Sequence, residues 1–344
     1  MSSAMSHYAP VREDWLARHV EEPLDAGLPI IDPHHHLWDR EGWRYLLPDL
    51  LADTNQGHNI RATVFVQCRA MHRAAGPEAY RPVGETEFVN GIAAMSASGG
   101  YGPTEVCAGI VGHVNLIIGA EAREVLQAHI RAGGDRFRGI RHITSWDPDP
   151  EVMNPAYQPP RDIYFREDFR AGFAQLAPLG LSFDAWLYHP QIPDLTALAR
   201  AFPETPIVLD HVGGPLGIRA YAGKRDAIFA EWRAAMAELA TCPNVSVKLG
   251  GLGMRINGFG FEDGAEPPDS DTLAAAWRPY IHSTIELFGA TRCMFESNFP
   301  VDKGSYSYGV FWNACKKLAS GASAEERQAL FSGTASRFYR LALA

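Results

Sequence analysis

Eight short β-rich runs, most of them separated by helix-like stretches, predict an α/β fold closed into a single-domain (β/α)8 TIM barrel. Three observations carry that expectation. The alternation is that of parallel βαβ units. Histidines stand at or near the C-terminal ends of five of the runs, as they would if those ends met on one catalytic face. The chain has 344 residues, 46 % of them hydrophobic and 21 % charged, enough for one large core, and no linker divides it.

In chain order the runs are residues 28–36 (LPIIDPHHH), 62–68 (ATVFVQC), 108–116 (AGIVGHVNL) and 137–144 (FRGIRHIT). They continue with 181–189 (LSFDAWLYH), 206–212 (PIVLDHV), 244–250 (NVSVKLG) and 292–298 (RCMFESN). Between them lie EAREVLQAHIRAGG, DLTALARAF, IFAEWRAAMAELA and AAAWRPYIHSTIELFG, and several such stretches stop at Gly or Pro. His36, His113, His142, His189 and His211 mark the run ends, and Asn298 closes the last. An open doubly wound sheet is the alternative, but it would keep the ends of distant strands apart. Residues 147–164, with five prolines, and the Gly- and Pro-rich residues 254–270 are long loops expected to rise from the catalytic face as lids. The final stretch, SAEERQALFSGTASRFYRL, opens with the capping-box pattern Ser323-x-x-Glu326 and reads as the closing helix. Residues 1–27 read as an N-terminal extension and 28–344 as the barrel.

Lys and Arg number 31 against 40 Asp and Glu, a net charge of −9 without a basic run, which argues against nucleic acid as a partner. The five cysteines show no CxxC spacing, so neither a disulfide framework nor a cysteine zinc site is expected. The start, MSSAMSHYAPVREDW, has no apolar leader core, and no run approaches the roughly 20 apolar residues of a membrane helix. The expectation is a cytoplasmic protein acting on a small molecule, with no membrane partner; a homo-oligomer is left open.

Strand side chains alternate with period 2. An unbroken first strand would therefore place Asp32, His34 and His36 on one face and His35 on the other. Two same-face imidazoles can approach one cation, and neutral imidazole suits zinc and its neighbours. Surface histidines in a turn are the ordinary alternative.

DPHHHLWD after an apolar strand, LDHVGGP near the middle and FESNFPVD near the end form a specific combination, joined by RGIRH, VKLGG and SGTASRFYRL. It resembles the amidohydrolase superfamily, and more narrowly the amidohydrolase-2 branch that includes sugar-acid and aromatic-pathway lactonases. The resemblance spans nearly the whole chain, residues 28 to 341. It implies a distorted barrel that hydrolyses a ring ester or amide; some members of the branch are decarboxylases or hydratases instead. The implied cofactor is one divalent metal, zinc first, although some members work without any. His34 and His36 match the family's first-strand HxH, with His189 as a further candidate ligand. His211 matches the sixth-strand histidine. The eighth-strand aspartate would fall at position 298, which is Asn298 here. An asparagine can lend a neutral oxygen to a metal, but it cannot act as a base near neutral pH. Asp302, four residues on, is the candidate to take over.

Other residues fit the catalytic face with a structural role as the ordinary alternative. Arg138, Arg141 and His142 lie in the fourth run, where a guanidinium fork would suit a substrate carboxylate. Parity separates Arg141 from the other two, and family habit favours Arg141. Lys248 stands in an apolar strand, where a lone lysine is rarely buried, so an interior pair with Glu296 is expected. Tyr188 and Tyr306 could lend hydroxyls, and Trp38 and Trp186 apolar walls. His113 and Cys68 read as packed core groups. The reading is a hydrolase that opens a lactone or related cyclic ester of a small carboxylated substrate. A decarboxylase or hydratase in the same site and a non-catalytic small-molecule-binding barrel are the alternatives.

Overall fold

The computed structural model describes residues 8–342. The expected barrel is present. Its strands are β1 (Ile30–His35), β4 (Ile60–Val66), β5 (Glu105–Gly112), β6 (Phe137–Arg141), β7 (Ser182–Ala185), β8 (Ile207–Leu209), β9 (Val245–Leu249) and β10 (Cys293–Phe295). All pair in parallel, in the order β1-β4-β5-β6-β7-β8-β9-β10. The ring closes just past β10. Asn298 N donates to His34 O at 3.0 Å, and His36 N donates to Phe299 O at 2.8 Å. A short antiparallel hairpin, β2 (Trp38–Arg40) with β3 (Trp43–Tyr45), follows β1 and was not foreseen from sequence. Its three-residue strands are too short to show a period.

Each of the eight runs identified in the sequence overlaps one barrel strand; six contain theirs whole, while β4 and β5 begin two and three residues before the runs at 62–68 and 108–116. Ile31, Val64, Val66, Val111, Val208 and Met294 pack together in one apolar cluster, while the larger apolar cluster takes in residues of the strands and the surrounding helices. The closing segment is capped as expected, with Ser323 and Glu326 in a reciprocal box, and it ends in the helix Thr334–Tyr339. Among the described residues no helix is long and apolar enough to cross a membrane.

One expectation about β1 fails. Three steps of β1, from Asp32 to His35, match two of β4, from Thr63 to Phe65, so the strand bulges between Asp32 and His35, a stretch that includes Pro33. Proline has no N–H for the ladder, and an extra residue there shifts the alternation. Asp32 therefore does not share a face with the two histidines. It accepts hydrogen bonds from Ser297 Oγ (2.6 Å) and Tyr308 Oη (2.9 Å). His34 and His36 face the barrel's catalytic end, whereas His35 turns to Thr63 Oγ1 at 2.9 Å and to the Phe65 ring.

Buried neutral histidines make the fold acid-sensitive. Burial pushes His34 down to about 4, and His35, His129 and His142 to about 3. The unfolded chain takes up these protons near pH 6.5, whereas the folded chain does not until pH 3–4, so stability falls as the pH drops below 6.5. Asp32, Asp184 and Asp302, which burial raises to about 6, act in the opposite direction, but the depressed histidines outnumber them. The melting temperature should be lower at pH 5 than at pH 7.5; a rise on acidification would contradict this.

Candidate active site

A pocket of about 640 Å³, its mouth included, opens at the C-terminal ends of the strands. Its floor is made by His36, Arg141, His211 and Asn298, and its walls by Trp38, Tyr157, Trp186, Tyr188, Met254 and Ile256. Both long loops foreseen from sequence contribute to it, through Asn154 and Tyr157 and through Met254 and Ile256.

Under the floor lies a chain of buried charges. Lys248 Nζ sits 2.7 Å from Asp184 Oδ2 and 3.0 Å from Asp210 Oδ1. Tyr339 Oη, from the closing helix, donates to Asp184 Oδ2 at 2.7 Å. Burial raises Asp184 to about 6, while Lys248 and His34 outweigh burial at Asp210 and hold it well below the usual carboxylate range. Lys248 therefore does not form the expected direct pair with Glu296; the carboxylates of β7 and of the β8 end lie nearer to it.

Glu296 instead holds the two histidines that matter most. Its Oε1 accepts from His211 Nδ1 at 2.7 Å and from the His211 backbone N at 2.9 Å. Its Oε2 lies 2.7 Å from His34 Nδ1. Burial opposes its charge, but His211 and His34 outweigh burial and hold it down at about 2, so it is a carboxylate. With Nδ1–H aimed at that carboxylate, the His211 tautomer that keeps this bond carries its lone pair on Nε2. His36 is arranged the same way, its Nδ1 bonded to Val66 O at 2.7 Å, and burial keeps it neutral. The two imidazoles flank His34, with ring centroids 4.9 Å (His36) and 4.6 Å (His211) from it.

His211 and Asn298 both adopt left-handed backbone, with φ of +56° and +57°. Such strain in non-glycine residues clusters at functional sites. Gly251 makes room for it. A Cβ there would lie 2.3 Å from His211 Cγ, and its own φ is +67°. Gly251→Ala should displace the His211 ring and lower kcat at least tenfold, a loss of the kind that small misplacements cause; an unchanged kcat would show that the ring position does not matter.

Arg141, on β6, enters the floor beside them. Nη1 donates to His34 Nε2 (3.2 Å) and lies 3.4 Å from Asp210 Oδ2, and Nη2 donates to Gln67 O (2.5 Å). Its Nε is buried without a partner among the described residues.

His34, Asp210 and His211 bring ligand atoms within 4.8 Å of one another, a donor set that by type suits a divalent metal. As arranged, it does not fit one. The His34 Nε2 lone pair is taken by Arg141, Lys248 sits against Asp210, and both cations would face the incoming ion. Two imidazole lone pairs remain free, those of His36 and His211, and the Asp210 carboxylate beside them is held by Lys248 and Arg141.

The other sequence candidates fall into two groups. Tyr188 lines the pocket and donates to Val152 O at 2.8 Å; Trp38 and Trp186 line it too. The rest lie off its wall. His189, expected as a ligand, accepts from Leu216 N at 3.2 Å and packs on Tyr221. Asp184, Trp186 and Tyr188 take the inward positions of that run, so parity turns His189 away. His142 is turned away in the same manner and accepts from Leu116 N, while Arg138 is half-buried on the outer face of β6. Asp302 sits behind Asn298, which donates to it at 2.9 Å, and is also held by Tyr306 Oη (2.6 Å) and Gly253 N (3.0 Å). A carboxylate so enclosed orients Asn298 and does not reach a water in the pocket. Tyr8, Arg40 and Tyr157 were missed. They belong to the extension, the hairpin and a loop, where no periodicity marks them. Asp210 was overlooked beside His211, although the pair is legible in LDHVGGP.

A barrel with a histidine-carboxylate dyad, a guanidinium and a pocket at its C-terminal end defines a hydrolase-type site on a TIM barrel. The comparisons with known proteins agree. Residues 31–341 match the family described as Amidohydrolase, and the chain belongs to that family. An uncharacterized protein of Sinorhizobium fredii is 33 % identical over 92 % of this chain and all of its own length. An L-fucono-1,5-lactonase of Burkholderia multivorans is 28 % identical, covering 92 % of this chain and 97 % of its own. The crystal structure of an amidohydrolase from Burkholderia multivorans with bound zinc superposes with a TM-score of 0.70 at 27 % identity, over 91 % of this chain and 99 % of that one.

Proposed function

We propose that this protein opens the ring of a small lactone with water, and that His211 is the base. The observation that carries the reading is the Glu296–His211 dyad, whose free Nε2 faces a pocket shared with the open Nε–H of Arg141. A water donating its two protons to His36 Nε2 and His211 Nε2 would turn its lone pairs toward a ring carbonyl. His211 takes the proton as the water oxygen attacks, and Glu296 steadies the imidazolium that results. Arg141 Nε–H donates to the carbonyl oxygen as charge builds there. The protonated His211 then returns the proton to the departing ring oxygen, which leaves a hydroxy acid. The lactonase relative supports a cyclic ester as substrate. In the zinc-bound relative a metal accompanies this fold; here Arg141 and Lys248 supply the positive charge, and no step passes through a metal.

The test is a panel of five- and six-membered lactones, sugar-acid and unsaturated, followed by proton release. Ring opening of at least one member at enzymatic rates is expected. Release of carbon dioxide from a carboxylated member without ring opening would replace the hydrolase reading with a decarboxylase, and binding without turnover would leave only a binding barrel.

A further inference from the structure

The outer wall of the pocket is not made by the barrel. Tyr8 lines it from a segment that precedes the family match, which begins at residue 31. That segment is seated on three loops. Trp15 Nε1 donates to Gly264 O (3.1 Å) and Ala265 O (3.2 Å), Glu13 pairs with Lys303 at 2.9 Å, and Asn154 Nδ2 donates to Tyr8 Oη at 2.9 Å. The loop after β10 is shaped to receive it, because a Cβ on Gly304 would lie 2.5 Å from Ala9 O and 2.6 Å from Ala9 Cβ. The Tyr8 ring also meets Trp43 of the hairpin edge-on at 5.6 Å.

Asn154 supplies the proton in its bond to Tyr8, so the hydroxyl proton of Tyr8 has no acceptor among the described residues. Arg40 lines the same wall. It lies over the Trp38 ring at 4.1 Å and is anchored by Nη2 to Cys68 O at 2.7 Å; its other N–H groups have no partner among the described residues. Arg40 and Arg141 both act electrostatically on the Tyr8 hydroxyl. Among the described residues no Asp or Glu lines the pocket, although acidic residues outnumber basic ones in the chain. Arg141 is answered by Asp210 beneath the floor, but the Arg40 guanidinium and the open phenolic O–H of Tyr8 have no carboxylate beside them and call for an anion.

We propose that Tyr8 and Arg40 form the subsite for a carboxylate on the substrate, so that the N-terminal segment, by seating Tyr8, makes the site prefer carboxylate-bearing rings to neutral ones. Arg141 is thereby left to the ring carbonyl. This rests on the lactone reading of the same pocket and names the class of lactone. Tyr8 and Arg40 are binding residues here, and their removal acts on KM before kcat.

Binding of benzoate and tetrahydrofuran-2-carboxylate, each against its methyl ester, is read from tryptophan fluorescence, since Trp38 and Trp186 line the pocket. Wild-type protein should favour the acids. Tyr8→Phe and Arg40→Gln should each weaken acid binding by about tenfold, the scale of one hydrogen bond to a charged group, and leave the esters alone. Gly304→Ala, outside the pocket, should do the same by unseating Ala9 and with it Tyr8. Acids bound by Tyr8→Phe and Arg40→Gln as tightly as by wild type would overturn the subsite. Acid preference lost in the variants, with no lactone opened by wild type, would sink the lactone reading and leave the subsite standing. Lactones opened by wild type, with an unchanged KM for carboxylated ones in both variants, would do the reverse.

Discussion

His211→Ala lowers kcat on the lactone substrate by about 10²–10⁴-fold, the usual contribution of a positioned base, with KM nearly unchanged. The imidazole touches the water and not the ring substituents, so its loss is felt in the transition state. Glu296→Gln should cost a comparable factor for a different reason. The carboxylate fixes the His211 tautomer through Nδ1 and holds its backbone N–H. An amide there could present its NH2 to Nδ1 and move the lone pair away from the pocket. Steady-state kinetics on both variants decide the matter; a His211→Ala enzyme within fivefold of wild type would remove the dyad from the mechanism.

The largest stability effect is expected at Lys248. It is fully buried and lies between Asp184 and Asp210 at ion-pair distance. Lys248→Met keeps the length of the chain but strips the cation from two buried carboxylates. Removing one partner of a buried pair costs about 3–5 kcal/mol, because the charge left behind has neither water nor a counter-ion. Activity should fall as well, since Asp210 also anchors Arg141. Denaturant unfolding measures the first effect, and a variant within about 0.5 kcal/mol of wild type, the ordinary range for a surface change, would mean that Lys248 is not the keystone of this interior.

Much of this was legible before the structure. The eight runs located the barrel because buried parallel strands are apolar and end in polar groups on the catalytic face. His34, His36, His211 and Arg141 converge as the run ends suggested. Parity failed only where the backbone breaks its own period. The bulge between Asp32 and His35 turned Asp32 outward; His189, by contrast, is turned away by an unbroken alternation in which Trp186 and Tyr188 face the pocket. What the sequence could not show is which long-range partner a buried charge selects. Glu296, expected beside Lys248, went to His211 and His34, while Lys248 went to Asp184 and Asp210. Tyr8 and Arg40 were illegible for another reason: an irregular segment and a three-residue strand carry no pattern that aims a side chain at the site.

In the proposed mechanism, protein cations stand where a metal could otherwise be. Its most direct test is the turnover of a lactone that the protein opens, measured after chelator treatment with the metal content determined in the same sample. Undiminished kcat in protein carrying far less than one metal per chain is the predicted result. Turnover that disappears with the metal and returns in proportion to added zinc would contradict it, and would mean that Arg141 moves aside to let His34, Asp210 and His211 take the ion.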